Sequence, residues 1–214
     1  MNTYCKLSLI LLVFLATSSC NNNGEPIGVE SRPVTTDLRG AMRGPGPAAK
    51  RGCWNFGFSL GLALVMHAID SPYEQYWEMA QGFAELYDVE LLPLPAKTGN
   101  RSKDMALALA YITRGGVPQI VEILDTHMGE ELASIFALGI KATAFFLTYY
   151  PADPAREQWA SVLAESAQRA RIPETLWRNT FNLIASGASE EAVNRSILEM
   201  NREIDEYYFR QISQ

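Results

Sequence analysis

Two histidines, His67 and His127, are the only imidazoles in a chain of 214 residues, so imidazole-based acid–base or metal chemistry must use one of them. His67 lies three residues before Asp70, a spacing that puts both on one helical face as a pair of metal ligands. Two ligands do not make a site, and no Cys/His/Asp cluster of zinc-site spacing completes the set. A second reading of His67 is a helix-end histidine that caps the last carbonyls. His127 precedes Gly129-Glu130-Glu131, where a carboxylate would orient a catalytic ring or a solvated turn would leave it idle. An acid–base enzyme therefore rests on His67 or His127 with a nearby carboxylate. No metal and no cofactor is expected: Gly-x-Ser-x-Gly, paired zinc ligands and the dinucleotide fingerprint are all missing.

The most polar stretch of the main domain is Lys97-Thr98-Gly99-Asn100-Arg101-Ser102-Lys103-Asp104. Its three cations beside a helix N-terminus would suit a phosphate or carboxylate, because free backbone N–H groups point there. The glycine spacing of a phosphate-binding loop is missing, and a solvated loop closed by a Ser102 cap is the competing reading. Lys97, Thr98, Asn100, Arg101, Ser102 and Lys103 are the anion-binding candidates. Lys141 stands in the middle of an apolar run, where a lysine must reach solvent along its stem, pair with a carboxylate or line a cavity. Lys141 and His67 are the pocket candidates. Aromatic residues from Tyr73 to Tyr87, with Tyr149-Tyr150 and Tyr207-Tyr208, would line such a pocket or fill the core.

The third kind of reactive residue is cysteine, at positions 5, 20 and 53. Lys6 precedes the apolar run Leu7–Ala16, which is signal-peptide length and far below the roughly 20 residues of a membrane-spanning helix. Thr17-Ser18-Ser19 lead into Cys20. This arrangement resembles a bacterial lipoprotein signal, although Thr17 stands where the motif usually carries a leucine. The resemblance covers about the first 20 residues. It implies removal of residues 1–19, acylation of Cys20 and membrane anchoring through the lipid. Asn21 does not resemble the aspartate that retains lipoproteins in an inner membrane, which favours the outer one. Cys53 would then be the single thiol left, packing as a small hydrophobe. The alternative is a secreted soluble protein that keeps both Cys20 and Cys53 and permits one disulfide.

Residues 20–50 have the composition of a flexible linker. Asn21-Asn22-Asn23-Gly24 and Gly40–Pro47 offer few apolar anchors to offset ordering entropy. Thirty such residues reach about 30 Å. Loss of Lys6 with the leader reduces the 18 basic residues to 17 against 24 acidic ones, a net charge of −7. Without a basic patch or interleaved aromatics, nucleic acid is excluded as a partner class.

Residues 51–214 must position all these candidates, and they read as one all-α domain of about eight helices. The first helix is expected over Trp54–Ile69. Ser71-Pro72-Tyr73-Glu74 supplies a cap, an initial proline and a capping-box glutamate for the next, with Tyr73, Tyr76, Trp77, Ala80, Phe83, Ala84 and Tyr87 on one face. Ser102 caps a third helix that Gly115-Gly116 closes, and Pro118 opens a fourth. Glu130–Tyr150 is apolar nearly all round and predicts the central helix. Asp153-Pro154 opens another with Trp159, Val162, Leu163, Ser166 and Ala170 facing inward. Pro173-Glu174 begins the next and Gly187 ends it. Ser189 opens a last amphipathic helix with Val193, Ile197, Met200, Ile204, Tyr207 and Gln211 in a heptad-like rhythm. Such a pattern packs as a compact helical bundle.

The expectation is a non-catalytic binding or interaction module, lipid-anchored at the cell envelope, for a protein partner or a small apolar or anionic ligand. The alternatives are the histidine enzyme and a structural homodimer formed through the last helix.

Overall fold

Pro47 begins the first helix, inside the stretch whose composition reads as linker. The computed structural model describes residues 44–214, and α1 spans Pro47–Ala68. A proline at the first helical position gives up no hydrogen bond and brings its φ already set. The residues after it are tied into the domain. Ala49 is fully buried and its carbonyl accepts the Tyr87 hydroxyl at 3.1 Å. Lys50 pairs with Glu131 at 2.7 Å, and Arg51 grips Asp205 with two bonds of 2.7 and 2.9 Å. The domain therefore starts before Arg51. Composition alone conceals this, because the polar side chains here find partners far away in sequence. The N-terminal expectations, Cys20 included, lie outside the described residues.

The remaining helices are α2 (Glu74–Tyr87), α3 (Arg101–Arg114), α4 (Gly116–Met128), α5 (Glu130–Thr148), α6 (Arg156–Arg169), α7 (Arg178–Ala185) and α8 (Glu190–Ile212). A 3-10 turn, Glu174–Leu176, precedes α7. The described residues contain no strand, and the fold is all-α. No helix among them is long and apolar enough to cross a membrane.

Several helix starts fall one to three residues from the expected ones. Ser71 does not cap α2; it is buried, and Glu74 Oε2 instead accepts the Tyr73 N–H at 2.9 Å. Asn100, not Ser102, caps α3, its Oδ1 taking the Lys103 N–H at 3.1 Å. Helix α4 opens at Gly116, ahead of Pro118. Asp153 builds a turn by accepting the Ala155 N–H at 2.8 Å, and α6 follows it. Ser189 caps α8 as its position predicts, accepting the Ala192 N–H at 3.2 Å. Where several short polar residues adjoin, each can fold back onto the backbone, and the tertiary context chooses among them.

The core is built on α1 and α5. Helix α1 is buried on nearly all sides: it packs along α5 and is flanked by α2, α8 and α3. Two of its glycines, Gly57 and Gly61, allow the backbones to approach. A Cβ on Gly57 would run into the Phe136 carbonyl, and one on Gly61 into the Thr143 side chain. On the other helix, a Cβ on Gly139 would lie 2.9 Å from the Phe58 nitrogen and 3.0 Å from the Trp54 carbonyl oxygen. Phe56 and Phe136, both fully buried, meet at 4.7 Å between ring centroids at the centre of this contact. Helices α4 and α6 both lie on α5, α7 packs on α6, and α8 closes the bundle against α1 and α7.

Candidate functional site

Helices α4 and α6 pack on α5 from either side and make no substantial contact with each other. The space between them is a groove of about 650 Å³. Its floor is the face of α5 carrying Ile140, Lys141, Ala144 and Phe145. One wall comes from the end of α3 and the start of α4, through Leu109, Ile112, Val117 and Val121. The opposite wall is α6, with Trp159, Val162 and Leu163. From Ala137 to Thr148 the floor spans eleven helical rises, roughly 16 Å. Such a size and an apolar lining with a few polar groups are typical of small-molecule sites.

Spacing places Trp159 and Val162 on the inner face of α6, but they are 52% and 37% exposed. Their apolar surface faces the groove, not a packed neighbour. The 3–4 periodicity of α6 is genuine; only Ala160, Leu163, Ser166 and Ala167 of that helix reach the core.

Lys141 brings the groove's charge. It is half-buried on the floor, and its Nζ donates to Ser166 Oγ at 3.1 Å, while Ser166 Oγ donates to the Val162 carbonyl at 2.8 Å. An ammonium has three protons to donate, so two remain. No carboxylate pairs with Lys141 among the described residues. Burial, and then the positive Arg169, push its pKa below the ordinary lysine value. Toward the C-terminal end of α5 the rim turns polar, with Tyr149, Tyr150, Asp153 and Arg156. Arg156 is occupied there: Nε donates to the Ala185 carbonyl at 3.1 Å and Nη1 to the Asp153 carbonyl at 3.2 Å. The Tyr149 hydroxyl donates to the Ala188 carbonyl at 2.8 Å.

His67 is not in this groove. It sits at the end of α1 beside the extended connection to α3, with Nε2 at 2.8 Å from the Pro95 carbonyl oxygen, which makes Nε2 the protonated nitrogen. Its Nδ1 is buried without a partner among the described residues, and its ring meets Tyr73 edge-on at 4.8 Å. Asp70, which spacing pairs with His67, turns through a left-handed φ of 61° and binds Lys97 instead. The ring thus ties α1 to a neighbouring segment rather than capping its own helix. His127 is exposed in the last turn of α4. Among the described residues, neither histidine has a carboxylate as hydrogen-bond partner, and no cluster able to hold a metal is present.

The polar loop at residues 97–104 satisfies itself. Lys97 pairs with Asp70, holding that exposed carboxylate below its usual range. Thr98 gives its N–H and its hydroxyl to Asp104 Oδ1 at 2.8 and 2.7 Å, which likewise lowers the Asp104 pKa. Asn100 occupies the helix start where an anion would sit. Arg101, Ser102 and Lys103 are exposed and point to no common centre that the hydrogen bonds define. The aromatic stripe divides too. Tyr76 and Tyr87 of α2 and Tyr208 of α8 are core, whereas Tyr149 and Tyr150 line the groove. Compared with known proteins, the chain matches no family model, no curated protein and no solved structure.

Proposed function

We propose that this chain is a lipid-tethered binding module of a bacterial cell envelope, and that the α4–α5–α6 groove takes a small, elongated, mainly apolar ligand. The groove carries this reading: about 650 Å³ lined by aliphatic and aromatic side chains, two of them on α6 substantially exposed. Soluble domains seldom leave a contiguous apolar surface of this kind without a use for it. Anchoring rests on the leader-like run Leu7–Ala16 and on Cys20.

Neither alternative draws comparable support. The histidine enzyme needs an imidazole oriented by a carboxylate in a cleft, and His67 binds a backbone carbonyl instead. The homodimer needs the stripe of α8, yet Val193, Ile197, Met200 and Ile204 are buried against the chain's own helices.

Native mass spectrometry of the protein purified from its own host tests the reading. A co-purifying small molecule that leaves on mild activation is expected, together with a diacylated or triacylated Cys20 as the first residue. Bare protein under conditions that preserve known lipid complexes would count against the ligand. An unmodified N-terminus would count against the tether.

A further inference from the structure

Charge and shape together narrow what the groove accepts. Of the groups lining it, Lys141, Asp153 and Arg156 are the charged ones, and two of these are spoken for at the rim. Asp153 accepts a backbone N–H, and Arg156 donates to two carbonyls. Lys141 lies at the other end of the floor, about one helical turn in from Ala137. The α3–α4 wall opposite it is Leu109, Ile112, Thr113, Val117, Pro118 and Val121, with no titratable group among them. From α6, Ser166 accepts one proton of the ammonium, and Arg169 adds a second positive charge nearby. A half-buried cation without a counter-ion costs free energy, and a ligand that supplies one recovers it.

Resting on the groove being a ligand site, we propose that its occupant is a single-chain amphiphile with an anionic carboxylate head: the head sits on Lys141 Nζ, and the alkyl chain runs along Ile140, Ala144 and Phe145 toward Trp159 and the tyrosine rim. A carboxylate placed there accepts the two free ammonium protons, completes the set begun by Ser166, and is favoured further by Arg169. Beyond Lys141 the lining carries no second charge until the rim, and the Thr113 and Thr148 hydroxyls donate to the Leu109 and Ala144 carbonyls of their own helices. This polarity of one cation followed by an uncharged, mainly apolar track fits a fatty carboxylate better than a neutral terpenoid or a cationic amphiphile.

The test measures binding of dodecanoate, dodecan-1-ol and dodecyltrimethylammonium to the intact protein by displacement of the neutral probe 1-N-phenylnaphthylamine. Each is measured on the wild type, Lys141→Met and Lys141→Arg. Dodecanoate is expected to bind about tenfold or more tightly than the alcohol. Lys141→Met should erase that preference and Lys141→Arg should keep it. Calorimetry at alkaline pH in buffers of different ionisation enthalpy should also show proton uptake with dodecanoate, because a paired ammonium holds its proton more strongly. Equal affinity for acid and alcohol on the wild type, or preference for the cation, would overturn the head-group assignment and leave the groove as an apolar site. Failure of all three and of the probe would overturn both readings.

Discussion

Cys53 is fully buried on α1, and desolvation pushes its thiol up to about 12 despite the Tyr87 hydroxyl beside it. A thiol held that high carries almost no thiolate near neutrality, and the thiolate is the reactive form. If Cys20 is acylated as proposed, Ellman's reagent at pH 8 should therefore release no colour from the folded protein and one equivalent after urea unfolding. A rapid equivalent from the folded protein would mean that Cys20 is unacylated. Lys141 shows how far sequence reasoning reaches for a single residue. Its place on an apolar helix restricts it to snorkelling, pairing or lining a cavity, and the lining role is the one observed. Trp159 and Val162 were not legible in the same way. Periodicity reports that a helix has an apolar face, not whether another helix covers it, and here α4 stops short of doing so. His67 illustrates the converse. Its spacing to Asp70 suggests a pair, but the left-handed turn at Asp70 sends that carboxylate to Lys97.

At the scale of elements, the identity of the helices follows from their apolar patterns, while their ends do not. Helix α5 reads as central because it is apolar nearly all round, and it is buried against α1, α4 and α6. Helix α1 begins at Pro47 rather than Trp54, because Ala49, Lys50 and Arg51 gain partners on α2, α5 and α8 that no local window contains. The contact of α1 with α5 depends on missing side chains. Gly57→Ala puts a methyl group into the Phe136 carbonyl, where neither backbone can yield cheaply. That substitution should destabilise the domain by about 1–3 kcal/mol or more, read as a lower urea midpoint with an unchanged slope. Gly82→Ala, where a Cβ meets nothing within 4 Å, should raise stability by about 0.4–1 kcal/mol on the exposed face of α2. If the two variants behaved alike, close helix approach would not be what fixes this interface.

For the molecule as a whole, the sequence implies a helical bundle but not the gap in it. The eight helices of the described residues can pack in many arrangements, and the groove exists because α4 and α6 share the floor α5 without substantial contact. The amphipathic last helix, a dimerisation candidate by its rhythm, spends its stripe on α1 and α7, with Trp54 Nε1 donating to Asn201 Oδ1 at 2.9 Å and Arg51 lying 4.8 Å from the Phe209 ring. Among the described residues, the groove gathers apolar side chains from four helices around one open space, with Trp159 and Val162 exposed on its α6 wall. Titration of the intact protein with 1-N-phenylnaphthylamine, comparing the wild type with Ala144→Phe, tests that claim most directly. Ala144 lies half-buried on the floor, so a phenyl ring there fills the groove without entering the core. Saturable probe binding to the wild type and its loss in a variant with an unchanged helical spectrum is the expected result. Equal binding to both proteins would contradict the account.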